Sequence, residues 1–154
     1  MNEKPDAVSV IFIAASPEKI WRALLDRTLS RDYFFGMTLE IEPKVGGRFT
    51  VRRPDGSLDD EGEVLVFDPP SRLTLNWRVS SVKELRDLPP VKVDFHIEDC
   101  GGASKVTVSE FGRAGFPESV NEGARVGWAY ILSALKTIVE TGAPLPAADW
   151  SAAA

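Results

Sequence analysis

The chain has 154 residues, 44% of them hydrophobic, with a formal net charge of −5 and a single cysteine. That length suits one domain with a sizeable core. The acidic balance, with no basic stretch that would cover a face, excludes the electrostatic footprint of a nucleic-acid binder. Cys100 alone excludes an internal disulfide and has no thiol partner for a metal site. Met1 to Asp6 is polar and lacks the apolar core of a signal peptide, and no apolar run reaches membrane-spanning length. The expectation is a cytoplasmic protein.

Val8 to Ala14 is compact and rich in β-branched residues, which predicts a buried strand. Ser16-Pro17-Glu18 then opens a helix: serine can cap, proline suits the first helical position, and glutamate favours the positive end. Ile20, Trp21, Leu24 and Leu25 recur at helical spacing. A second short helix or turn is expected over Leu29 to Phe34. From Met37 the period becomes two, with Leu39 and Ile41 leading to Gly46-Gly47, after which Phe49 and Val51 alternate with Arg48, Thr50 and Arg52. Pro54-Asp55-Gly56 marks a turn. Val64 and Val66 extend the alternation until Asp68-Pro69-Pro70 stops it, and Leu73, Leu75, Trp77 and Val79 share the next inner face.

Ser80 to Pro90 is polar and reads as a loop. Val91, Val93, Phe95 and Ile97 alternate with Lys92, Asp94, His96 and Glu98, and after a turn at Cys100 to Ala103 the last strand runs from Lys105 to Phe111. The final element begins near Pro117-Glu118, with Val120, Ala124, Trp128, Ile131, Leu132, Leu135, Ile138 and Val139 on one helical face and Gly142 as its stop. These elements predict an α+β domain: a strongly curved antiparallel sheet of about seven strands wrapped around a long C-terminal helix, with two short helices after the first strand. The expected domain is 1–142. A loosely ordered tail, 143–154, follows, in which Trp150 could dock.

Ala15 to Leu25, Val45 to Phe49, Gly62 to Leu73 with Trp77, and Gly127 to Gly142 together resemble bacterial proteins related to the activator of the heat-shock-protein-90 ATPase, within the START-like (SRPBCC, helix-grip) superfamily. The resemblance spans almost the whole chain and is carried by framework residues. Gly46-Gly47 permits a strand bend, Asp68-Pro69-Pro70 ends a strand, and Trp21 and Trp128 fill volume. It implies a hydrophobic cavity between the concave sheet and the C-terminal helix. Relatives include lipid and hormone carriers, aromatic polyketide cyclases and a co-chaperone domain, and fold alone does not choose between them.

The residues add their own constraints. His96 is the only histidine and shares parity with Lys92, Asp94 and Glu98, so it reads as solvent-facing; neither a Ser-His-Asp cluster nor a multi-histidine metal site can be assembled. No phosphate loop or dinucleotide fingerprint occurs, so no cofactor is implied. The polar residues with inward parity are Glu110, following Val106 and Val108, Arg53, following Phe49 and Val51, and Asp60, read back from Val64 through Gly62. Relatives often carry a histidine near the Glu110 position. A carboxylate in an apolar cavity is costly unless paired or protonated. Glu110 is therefore either a pocket anchor or general acid/base, or a group at the sheet's end, hydrated or paired with Arg53. Arg53 and Asp60 lie nearer a hairpin tip, where hydration is the simpler reading.

Phe35, Phe49, Trp77, Phe95, Glu110, Trp128 and Leu132 are the candidate ligand-binding residues, with Glu110 the one catalytic candidate. Trp128 should point from the closing helix into the concave sheet, at a cavity wall. The leading expectation is a binding protein for a small hydrophobic or amphipathic molecule. The alternatives are a cyclase- or hydrolase-type enzyme with Glu110 as acid/base and Arg53 steering an oxyanion, or a chaperone-modulating interaction module. A homodimer is compatible, since two-fold dimers are the commonest oligomers.

Overall fold

The structure is a computed structural model and describes residues 3–146. Its elements run β1 (Ala7–Ile13), α1 (Pro17–Leu25), α2 (Ser30–Tyr33), β2 (Thr38–Ile41), β3 (Arg48–Arg52), β4 (Leu58–Asp68), β5 (Arg72–Val79), α3 (Lys83–Arg86), β6 (Val91–Asp99), β7 (Ser104–Phe111) and α4 (Glu118–Thr141). The strands form one seven-stranded antiparallel sheet in the order β1-β7-β6-β5-β4-β3-β2. The helix-grip architecture expected from the residue pattern is present, with α4 laid across the inner face. Residues 147–154, including Trp150, lie outside the described residues, while Leu145 packs against the core.

Local chemistry explains the framework. Ser16 Oγ accepts a hydrogen bond from the Lys19 amide at 3.2 Å, and Pro17 occupies the first turn of α1. Trp21, on the buried stripe of that helix, meets Phe67 edge-on at 5.4 Å. Gly62 is required where it stands: a Cβ there would lie 1.6 Å from the Asn76 carbonyl oxygen, with the Phe49 ring 3.0 Å from the same point. Gly142 ends α4 in the left-handed region at φ 76°, its N–H donating to the Ile138 carbonyl.

Three sequence expectations are corrected. Val8 to Ala14 is not a buried strand: β1 is an edge strand, and Val8, Val10 and Phe12 are about half exposed at 52%, 50% and 54%. Apolar composition alone hid this, because only the odd-numbered residues of β1 face inward. The free edge is instead covered by α4, whose Lys136 Nζ donates to the Phe12 carbonyl at 2.9 Å and whose Glu140 Oε2 accepts from the Ala14 amide at 2.7 Å. In β4 the alternation does not continue through Val66. A register shift between Val64 and Val66 makes Leu65 an extra residue, so Val66 turns outward and Phe67 inward. Finally, the loop Ser80 to Pro90 contains α3, whose Leu85 is buried.

The inner face packs unevenly along α4. From Trp128 onward the helix buries Ile131, Leu132, Ala134, Leu135, Ile138 and Val139, whereas Val120 and Ala124 in its first two turns are only partly covered. That uneven contact leaves a cleft beneath the N-terminal half of the helix.

Candidate functional site

The cleft has a volume of about 300 Å³. One wall is sheet: Asp59 and Asp60 from β4, Trp77 and Val79 from β5, Val91 and Val93 from β6, and Glu110 from β7. The other is helical: Phe34, Phe35 and Met37 after α2, Leu85 of α3, and Val120, Ala124, Trp128 and Ile131 of α4, with Arg113 beside them. Apolar and aromatic walls with few polar groups are the composition of small-molecule sites. A separate depression of about 380 Å³, lined by Glu40, Glu42, Arg48, Thr50 and Arg52 among others, lies on the outer face of β2 and β3 and is charged.

Aromatic rings hold the cleft's shape. Trp128 sits edge-on to Phe95 at 5.6 Å, to Trp77 at 5.9 Å and to Phe34 at 6.4 Å. Phe34 also stacks on Trp77 at 5.8 Å. Phe35 stands at φ 58°, a left-handed conformation that a bulky residue rarely adopts. Its ring stacks on Tyr130 at 5.2 Å.

Of the seven candidate residues, Phe35, Trp77, Glu110 and Trp128 line this cleft. Phe49, Phe95 and Leu132 do not: they are buried behind it. Phe49 packs on Trp77 at 4.6 Å and over Gly62, and Phe95 supports Trp128, so both shape the wall from behind. Trp128 points into the sheet, as its place on the helical face predicts.

Glu110 is buried, at 2% exposure, and ion-paired. Its partner is Arg113 rather than Arg53: Arg113 Nε donates to Glu110 Oε2 at 2.8 Å, and Nη2 reaches the same oxygen. The loop carrying Arg113 is pinned by Asp6 Oδ2, which accepts from the Gly112 and Arg113 amides at 2.7 and 2.8 Å. Arg53 lies beyond the end of β3, half exposed and paired with Asp59 Oδ1 at 2.9 Å. It is not among the residues lining the cleft, although its partner Asp59 is.

Asp60, by contrast, is not the hydrated hairpin residue its position implied. It is 8% exposed, lines the cleft, and accepts from Trp77 Nε1 through Oδ2 at 2.9 Å, while Oδ1 is buried without a partner. Burial pushes its carboxyl up from 3.8 to about 7; the Trp77 bond opposes this and the neighbouring Asp59 charge adds to it. His96 lies on the outer face with its Nδ1 3.7 Å from Glu98, and Cys100 is exposed. Among the described residues, no group of three or more His, Cys, Asp or Glu is placed to hold a metal ion.

Sequence reasoning missed Arg113, Phe34, Met37 and Leu85. Arg113 follows Gly112 outside any periodic segment, so no parity points to it. Phe34 and Met37 stand where α2 gives way to β2, and neither period applies across such a junction.

A curved antiparallel sheet gripping one long helix over an apolar cleft defines a START-like, helix-grip protein. The family described as "Activator of Hsp90 ATPase homolog 1-like protein" matches residues 14–140, and the chain belongs to it. Three solved structures share the fold. DynU16, from the dynemicin biosynthetic locus, is 23% identical with a TM-score of 0.74, over 89% of this chain and 48% of that one. The HSP90 activator PFC0360w of Plasmodium falciparum is 17% identical with a TM-score of 0.72, over 88% and 96%. The Aha1 dimer of Colwellia psychrerythraea is 20% identical with a TM-score of 0.68, over 88% and 96%. No curated protein matches the chain.

Proposed function

We propose that the protein binds a small hydrophobic or amphipathic molecule in the cleft between the sheet and α4. The observation that carries this reading is the cleft itself: about 300 Å³ bounded by Phe34, Phe35, Trp77 and Trp128, with its polar groups confined to a few named positions. A thermal-shift screen of fatty acids and aromatic compounds, with native mass spectrometry of the purified protein, tests it. A ligand at a hundred times its Kd should stabilise the fold by about 2.7 kcal/mol. No stabilisation across a broad library, and no co-purifying mass, contradicts it.

An acid/base reading of Glu110 is favoured by one observation, its burial at the cleft wall. Arg113 takes over the electrostatic role first given to Arg53. The test is turnover of an aromatic polyketide-like substrate by the wild type and by Glu110→Gln; activity surviving unchanged in the variant removes the proposal. The chaperone-modulating reading rests on likeness to an HSP90 activator at 17% identity, which carries the fold alone. A lysate pull-down without chaperone enrichment defeats it.

The partner reading includes a homodimer. The Colwellia relative was solved as a dimer, and Val8, Val10 and Phe12 offer an exposed apolar row on the edge strand. Sedimentation giving a monomer at high concentration contradicts it. No helix among the described residues is long and apolar enough to cross a membrane, and a cytoplasmic setting belongs to the same proposal, checked by cell fractionation.

A further inference from the structure

Among the described residues one buried side-chain polar atom makes no hydrogen bond, and it belongs to a residue of the cleft wall. Asp60 Oδ1 is buried and makes no hydrogen bond, although its sister oxygen Oδ2 is fixed by Trp77 Nε1 at 2.9 Å. A buried carboxylate oxygen left without a donor is destabilising, more so when charged. The Ser80 amide and the Asp59 side chain lie close enough to act on this carboxyl, but the amide is committed to the Asp59 carbonyl at 3.1 Å. The orphan is held in place by geometry. Asp60 faces Val79 across the β4–β5 pair, one register step from the bulge between Val51 and Arg52, and the indole of Trp77 clamps its carboxyl from the neighbouring strand.

The charges facing this position are few. Asp59 adjoins it, its Oδ1 held by Arg53 at 2.9 Å. Glu110 and Arg113 line the same cleft but neutralise each other. They stand on and beside β7, three strand spacings from β4, about 14 Å along the sheet. Asp59 and Asp60 thus share the single cation Arg53, and this end carries one more carboxylate than cation. Trp77, which bonds Asp60, Phe34 and Trp128 line the same cleft, Phe34 stacked on Trp77 at 5.8 Å and Trp128 edge-on to the same indole at 5.9 Å. A carboxylate oxygen lacking a donor, in a cleft walled by aromatic rings, is an arrangement that can recognise an ammonium group through a charge-assisted hydrogen bond and cation–π attraction.

We infer that the cleft selects a ligand with an apolar, ring-sized body and a protonated amine, the amine donating to Asp60 Oδ1 while the body lies against Trp77, Phe34 and Trp128. This rests on the ligand-binding reading above and narrows it to a chemical class. It also gives Asp60 a function that its stability cost alone would not explain. An amine bound there must displace any proton on the carboxyl, so its binding is coupled to pH.

Calorimetric titration with naphthylmethylamine, naphthylmethanol and methylnaphthalene, which share one ring system, separates the two readings. At about pH 8.5 the amine should bind about tenfold or more tightly than methylnaphthalene. Its affinity should fall roughly ten- to thirtyfold by about pH 5.5, because Asp60 titrates near 7. Methylnaphthalene should be indifferent to pH. Asp60→Asn keeps an acceptor for Trp77 and should abolish the amine's advantage while leaving methylnaphthalene binding intact. Methylnaphthalene binding with no preference for the amine overturns this inference and leaves the ligand-binding reading standing. So does a preference that survives in Asp60→Asn, or one without pH dependence in the wild type. If none of the three compounds binds, both readings fall.

Discussion

Two carboxylates are buried against the same cleft, and they are satisfied in opposite ways. Glu110, at 2% exposure, is gripped by the Arg113 guanidinium, which is itself anchored by Asn121 and by the Phe116 ring 5.4 Å away. Asp60, at 8%, has no cation on it: the Trp77 indole bonds one oxygen, and the other makes no hydrogen bond. The β7 end is thus a closed ion pair that ties the post-β7 loop to the sheet. The β4 end is an incomplete polar site. A buried ion pair is usually neutral or unfavourable against an apolar replacement but severe to break on one side, whereas an unpaired carboxylate imposes its cost continuously and rewards whatever completes it. Structure and recognition are divided between the two ends.

Breaking the closed end should have the largest effect. Arg113→Ala strands Glu110 without its cation and should destabilise the fold by about 3–4 kcal/mol in chemical denaturation. The double variant Glu110→Leu with Arg113→Leu should recover most of that loss, and additive losses would show that the pair does not act as a unit. Trp128→Ala comes next. Full core truncation of tryptophan costs about 3–5 kcal/mol, but this ring borders the cleft and lacks protein contacts on one side, so about 3 kcal/mol is expected. A loss at the top of the range would mark Trp128 as closed core.

The open end should show itself as a pH dependence. The Asp60 carboxyl titrates near 7 in the folded protein against an ordinary 3.8, so between those values the folded state holds a proton that the unfolded state has lost. Its contribution is fully present below about pH 4 and is lost as pH rises through about 7. Asp60→Asn should therefore match the wild type at about pH 4 and become progressively the more stable of the two as pH rises to about 8. A constant difference across that window would remove the titrating role of Asp60. The smallest effect is a control remote from both ends: Ser16→Ala should cost about 1 kcal/mol, from loss of the α1 cap, with ligand affinity unchanged.

The framework was legible because periodicity and punctuation act locally. Ser16-Pro17 reads as a helix start, Gly142 as a helix stop, and the parity of Val106 and Val108 carries Glu110 inward without further information. Parity failed where register shifts. Leu65 is indistinguishable from its neighbours by composition, yet its bulge exchanges the faces of Val66 and Phe67. Arg53 failed for a related reason: β3 ends at Arg52, past the second register shift, so counting from Val51 no longer applies. Asp60 was pointed inward correctly, but its nearness to the Pro54-Asp55-Gly56 turn disguised its burial. The long Trp77 indole, arriving from the next strand, bonds to it there. Arg113 shows the wider limit: a loop side chain finds its partner through a backbone path, and that path here depends on Asp6, more than a hundred residues earlier in the chain.

The central claim is that the space beneath the first half of α4 receives a ligand's apolar body. Isotope-edited nuclear Overhauser measurements on the protein with bound naphthylmethylamine test it most directly. Contacts are expected from the ring protons to Met37, Trp77 and Trp128, and none to Leu132 or Phe49, which lie behind the wall. Contacts confined to the outer face, at Val8, Val10 and Phe12, or the absence of any contact to the three cleft residues at saturation, would contradict it.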